Sequence, residues 1–237
     1  MPNSGTNRVR HFADLGARPA GWAHGRRRHT RFSIGAHDMT KTVPGRARIS
    51  HHIGRRVTQS IFRAFDFTNA CGRPFNLYVV INLTESGAAG AATQFAAIRH
   101  KYRDWLAYHR RKGNTDAAPL YAFTFENPDG HQHVNWTLHV PPNLQAEFRH
   151  KLVQWVSRAC AAHGPFDIHC QPVTRHHKSL AKYIVKGTDP AYVSHFHLGE
   201  LHKPQGVFVG KRAGACPALG RAARHAAGYD AKRRALV

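Results

Sequence analysis

The sequence predicts an α+β protein built on an antiparallel sheet that carries helices on one face. Three observations lead there. Apolar residues alternate along residues 75–83, a turn signal at Asn127-Pro128-Asp129-Gly130 joins two further alternating runs, and two segments between strands repeat their apolar residues at helical spacing.

Each element has its own signature. Phe75, Leu77, Val79, Ile81 and Leu83 share one face of a first strand, and the glycines at 87 and 90 are expected to end it. Phe95, Ile98, Tyr102, Trp105 and Leu106 then mark a helix, closed by Lys112 and Gly113. Residues 120–126 form a second strand, and the turn folds residues 131–140 back on it as a third. Pro141-Pro142 stops that strand, and Asn143 is the expected N-cap of a helix bearing Leu144, Phe148, Leu152, Trp155, Val156 and Cys160, ending near Gly164. Residues 166–173 give a fourth strand, and residues 177–186 a last helix closed at Gly187. The first six elements run βαββαβ, the order of a ferredoxin-like or RNA-recognition-like sheet. Tyr121, Phe123 and Phe125 share the helix-covered face with Val134, Trp136, Leu138 and Val140. Thr124, Glu126, His131, His133, Asn135 and His139 share the other, which such a sheet can leave open to a nucleic acid.

Charge narrows the partners. The 237 residues include 35 Lys and Arg against 13 Asp and Glu, a formal charge of +22, so polyanions are the natural ligands. This suits one domain with basic ends: residues 1–70 as an Arg- and His-rich, flexible extension, typified by Gly25-Arg-Arg-Arg-His29, with residues 61–65 a candidate short helical or strand-like entry to the core; residues 71–200 as the core; residues 201–237 as a basic tail containing Lys211 and Arg212, with residues 218–236 a candidate cationic helix. No apolar run approaches eighteen residues, and residues 1–30 lack the apolar core of a secretory signal, so a cytoplasmic protein without membrane partner is expected. Cys71, Cys160, Cys170 and Cys216 form no Cys-x-x-Cys pair and read as reduced, structural cysteines.

The hairpin gathers ligand types. A four-residue turn sets Glu126 opposite His131 and makes His133 its diagonal neighbour. Carboxylate, imidazole and amide oxygen without thiolate suit Mg²⁺ or Mn²⁺. The plainer alternative is that these histidines decorate the solvated face of a protein with 20 of them. In the last helix, Leu180, Ala181, Ile184 and Val185 form the buried stripe, which leaves Tyr183 off it beside Lys182 and Lys186. Those lysines can hold a phenolate or stabilise a phosphate that it attacks; a surface tyrosine in a basic helix is the alternative.

Glu126, then His133-Val134-Asn135, then Tyr183-Ile-Val-Lys186 resemble the rolling-circle replication initiators of the HUH endonuclease superfamily over residues 73–190. That family carries a His-hydrophobic-His motif on a central strand, a third polar ligand nearby and a following Tyr-x-x-Lys helix. The resemblance implies Mg²⁺ or Mn²⁺ held by Glu126, His133 and Asn135, with His131 as a substitute ligand and His139 a more distant one. It also implies Tyr183 as nucleophile, with Lys186 and Lys182 assisting. Asn135 stands where the family has its second histidine and ligates only through its amide oxygen.

The implied reaction is transesterification of single-stranded origin DNA, giving a 5'-phosphotyrosine and a free 3'-OH that primes a host polymerase. Unwinding falls to a host helicase, since residues 206–212 lack a phosphate loop. Tyr78 is expected to stack on bases, and Lys178, Lys211 and Arg212 to contact phosphates of the strand or of an origin hairpin. Tyr192, after Asp189-Pro190, is left unassigned. The rival is a non-catalytic single-stranded DNA- or RNA-binding protein on the same scaffold, including an inactive initiator.

Overall fold

The computed structural model describes residues 48–83, 87–160, 164 and 167–229. Among them the order is β1 (Ile49–Ser50), α1 (Arg55–Ala70), β2 (Leu77–Asn82), α2 (Gly87–Arg111), β3 (Leu120–Glu126), β4 (His133–His139), α3 (Gln145–Ala159), β5 (Ile168–Pro172), α4 (His177–Ile184), β6 (Phe208–Val209), β7 (Ala213–Ala215) and α5 (Arg221–Ala226). This is an α+β protein with a five-stranded antiparallel sheet, ordered β5-β2-β4-β3-β7, and five helices among the described residues. A two-stranded ribbon pairs β1 with β6.

The expected alternation becomes two unlike faces. On one, Phe95 and Tyr102 of α2 and Phe148 of α3 meet Tyr121, Phe123, Phe125 and Trp136 of the sheet in mostly edge-to-face contacts. Trp136, Tyr102, Phe95 and Phe148 are fully buried. Edge-to-face packing aligns ring edge with ring face, so these pairs favour one arrangement over a loose apolar cluster. Helix α2 supplies its stripe at Ala91, Phe95, Ile98, Tyr102, Trp105 and Leu106. His109, Arg110 and Arg111 complement its C-terminal dipole, and Gly113, at φ 96°, turns the chain out.

The second face is polar and, contrary to expectation, covered. Thr124, Asn135 and Thr137 are at most 2 % exposed and Glu126 3 %. α1 and α4 pack against each other on this side, and α1 also touches β3 and β7. The hydroxyls of Thr58 and Thr188 share a hydrogen bond of 2.9 Å, and Ile53 N–H donates to Gly187 O at 2.9 Å. Asp189 N–H returns a bond to Ile53 O at 3.0 Å. These contacts fix the end of α4 over the sheet.

The expected boundaries at 70 and 200 move as well. Residues 48–229, as far as they are described, lie in one unit. Residues 1–47, including the Gly25–His29 run, lie outside the described residues. Residues 55–70 are a packed helix with Ile61, Ala64, Phe65 and Phe67 buried, because Ile61-Phe62-Arg63-Ala64-Phe65 continues at helical spacing. Residues 201–229 contribute β6, β7 and α5; Phe208 is fully buried and stacks on Phe125 at 4.3 Å.

Smaller corrections are local. Gly87 opens α2 and Gly90 lies within it, since the alanines around them favour helix. Asn143 belongs to a 3-10 turn, Pro142–Leu144, and α3 starts at Gln145 with no side-chain cap. The expected end near Gly164 falls short, at Ala159. All four cysteines are free, with Cys160 and Cys216 buried. Among the described residues no helix is long and apolar enough to cross a membrane.

A candidate metal and tyrosine site

The β3–β4 register sets the site. Glu126 pairs directly with His133 and Thr124 with Asn135, two residues away from the expected pairing of Glu126 with His131. The cause lies in the connection. Pro128–Gly130 makes a 3-10 turn with Asp129 and Gly130 at positive φ, and His131 N–H bonds back to Pro128 O at 2.9 Å. Asn127 N–H goes to Gln205 O and Gln132 O accepts from Leu83, so residues 127–132 do not extend the β3–β4 ladder. A slip of two leaves every side chain on its expected face.

Glu126 Oε2 lies 3.1 Å from His133 Nε2 and 3.0 Å from Lys186 Nζ. His133 Nδ1 is 3.2 Å from His131 O; a carbonyl only accepts, so Nδ1 carries the hydrogen. In the neutral ring Nε2 then presents a lone pair to a carboxylate oxygen. Two acceptors this close require a hydrogen or a cation between them. An imidazole anchored by its other nitrogen to a carbonyl is also the usual arrangement of a metal-binding histidine.

Asn135 sits beside this pair. Tyr78, on the neighbouring β2, donates its hydroxyl hydrogen to Asn135 Oδ1, and that oxygen keeps a second lone pair. Asn135 Nδ2 and Thr124 Oγ1, from directly opposed residues, are buried without a hydrogen-bond partner. In kind, Glu126 Oε2, His133 Nε2 and Asn135 Oδ1 fit a divalent cation that prefers oxygen and imidazole, completed by water or substrate. Lys186 holds the same carboxylate in competition. Among the described residues no cluster of three or more His, Cys, Asp and Glu side chains suited to a metal occurs.

α4 and the turn after it supply the other half; the helix ends at Ile184, short of the expected 186, and Lys186 lies in the turn. Lys186 Nζ stands 4.3 Å over the Tyr183 ring, and Arg175 Cζ lies 5.6 Å from the same ring. Tyr78 meets Tyr183 edge to face at 6.3 Å. Burial pushes the Tyr78 phenol far above its ordinary value, and Tyr183 and Glu126 push it further, so Tyr78 stays a neutral hydroxyl. Tyr78, Gln171, Thr174, Arg175, Leu180 and Tyr183 line a half-open pocket at the sheet edge.

The remaining expected residues separate. Lys182 is half-buried one position before Tyr183, and none of the contacts described at the site involves it. His131 is exposed and reaches the site through its carbonyl. His139 turns away and bonds Pro74 O at 2.8 Å. Lys178 and Lys211 are exposed. Tyr78 is not an open stacking platform, being 9 % exposed. Arg212 is not a phosphate contact: it is 4 % exposed and donates to the carbonyls of Phe125, Ser50, Gln205 and Gly206. Burial lowers its guanidinium to about 10, partly offset by Glu126. Tyr192 lies under Arg55, 5.6 Å from its ring to the guanidinium.

The hydrogen bond from Tyr78 to Asn135 and the ring contact of Tyr78 with Tyr183 were not foreseen from the sequence. The signal was its place on the polar face of a strand whose other residues there are Val80 and Asn82. No protein-family model matches this chain, and a search of curated proteins finds no match to its sequence.

Proposed function

We propose that this chain is an HUH-type single-strand DNA transesterase, a rolling-circle replication initiator in which Tyr183 is the nucleophile. On this reading β2-α2-β3-β4-α3-β5 is a ferredoxin-like sheet extended by β7, with α4 as the nucleophile helix. The observation that carries it is the position of Lys186, whose ammonium touches both the Tyr183 ring and the Glu126 carboxylate that faces His133.

The chemistry follows from the residues. The Tyr183 phenol oxygen attacks phosphorus, the bond from phosphorus to the 3'-oxygen breaks, and the phenol proton is given up while the departing 3'-oxygen takes one. The products are a 5'-phosphotyrosine and a 3'-OH. Glu126, His133 and Asn135 would hold Mg²⁺ or Mn²⁺, which when bound neutralises charge on the non-bridging phosphate oxygens. Lys186 and Arg175 stand against the Tyr183 ring, where they stabilise phenolate and phosphate. The pocket lined by Tyr78, Gln171, Thr174 and Arg175 offers a place for a nucleotide beside the scissile phosphate, and exposed Lys178 extends the basic surface.

The rival, a non-catalytic RNA- or single-strand-binding protein, relied on an open sheet face. With Thr124, Asn135 and Thr137 buried, the middle of that face offers bases no stacking surface, and approach is left to its rim, where His133 and Tyr183 are partly exposed. The test is incubation with labelled single-stranded origin DNA and Mn²⁺, followed by denaturing electrophoresis. A covalent adduct in wild type that Tyr183→Phe lacks supports the nuclease; no adduct, or one that survives in the variant, refutes it.

A further inference from the structure

Lys186 occupies an unusual position for a helper of the tyrosine. Its Nζ is 3.0 Å from Glu126 Oε2, the oxygen that faces His133 Nε2 at 3.1 Å. The carboxylate is 3 % exposed, so little water screens the ammonium from anything else bound there. A small divalent cation bonds a carboxylate oxygen at about 2.1 Å, so any such cation on Oε2 stands within about 5 Å of Nζ. At that distance, with little water between them, the ammonium and the cation repel each other while sharing one carboxylate.

The lysine has a second place to go. Its ammonium already lies 4.3 Å over the Tyr183 ring, so a small change in its side-chain torsions exchanges the carboxylate for the phenol oxygen or the phosphate beside it. The backbone need not move. Lys186 O accepts from Lys203 N–H at 3.2 Å, Gly187 O accepts from Ile53 N–H, and Gly187 is packed so closely on Gln205 that a Cβ there would meet Gln205 Cγ at 2.6 Å. The side chain turns on a fixed pivot.

We propose that Lys186 is the resting counter-ion of the metal carboxylate, and that a divalent cation displaces it from Glu126 towards Tyr183. Metal loading and nucleophile activation are then one event, and the tyrosine is not armed until the cation is in place. The proposal rests on the nuclease reading for its consequence, but its central statement concerns metal affinity alone.

The experiment is calorimetric titration of the full chain with Mn²⁺ in the absence of DNA. Lys186→Met should bind Mn²⁺ at least about tenfold more tightly than wild type, because a competing unit charge has been removed from the site. Lys101→Met, the same charge change on the exposed surface of α2, should leave affinity within about twofold. Glu126→Gln should abolish the tight binding in the Lys186→Met background. Equal or weaker binding by Lys186→Met, tight binding that survives Glu126→Gln, or no measurable binding by either wild type or Lys186→Met overturns the proposal. The adduct assay is independent. An adduct in wild type with unchanged Mn²⁺ affinity in Lys186→Met sinks the displacement and spares the nuclease; tighter binding without any adduct does the reverse.

Discussion

The two faces of the central sheet are built from the same strands and do opposite things. The face under α2 and α3 is aromatic and closed, with Trp136, Phe95, Tyr102 and Phe148 interlocked and fully buried. The face under α1 and α4 is also closed, yet it contains Glu126, Asn135, Thr124, Thr137 and Tyr78. Buried polar groups are normally all paired; Asn135 Nδ2 and Thr124 Oγ1 are not, and on the aromatic face Trp136 Nε1 is not either. The faces differ in kind: one buries rings with a single orphaned indole N–H, the other buries a carboxylate, an amide and hydroxyls that packing alone does not call for. Such a local departure is where function is expected.

The contrast can be broken most sharply at Tyr183. Tyr183→Phe should reduce covalent adduct with single-stranded DNA by roughly a thousandfold or more, leaving the thermal melt unchanged. On the opposite face, Trp136→Ala should cost about 3–5 kcal/mol of stability by leaving a cavity, read by denaturant unfolding. Arg212→Met should cost about 3 kcal/mol, because it orphans carbonyls that the guanidinium now serves. Thr124→Val should lie within about 1 kcal/mol of wild type, since its hydroxyl has no partner to lose. A larger loss would mean the hydroxyl is bound by something essential. The smallest effect concerns His139, whose burial lowers its imidazole below 6.5. The unfolded chain then binds the proton more readily, so its contribution to stability is complete above pH 6.5 and fades as pH falls below it. His139→Gln should flatten that part of the stability curve.

Much of this was legible in the residues. Alternation located β2, β3 and β4 and assigned each side chain to its face, because strand parity survives a register slip of two. The stripe of Leu180, Ala181, Ile184 and Val185 separated Tyr183 from the core. The register itself was not legible, since it depends on Asn127 and Gln132 bonding to residues 205 and 83 instead of to each other's strand. Nor were β6 and β7, whose Phe208-Val209 and Ala213-Gly214-Ala215 are too short to show a period. The covering of the polar face was hidden for a related reason. α1 precedes β2 in sequence and reaches that face through contacts with residues 187–189, more than a hundred positions away.

The Arg212 hub bears on how this protein can be divided. Ending the chain at residue 200, where the basic composition begins, would remove β7 from β3 and the guanidinium from the carbonyls of Ser50 and Phe125. The strand that carries Glu126 would then be a bare edge, flanked by the uncovered ring of Phe125 where Phe208 had stacked. Such an edge recruits other chains. A fragment of residues 71–200 is therefore expected to collect in the insoluble fraction on expression, and residues 48–229 to remain in the supernatant.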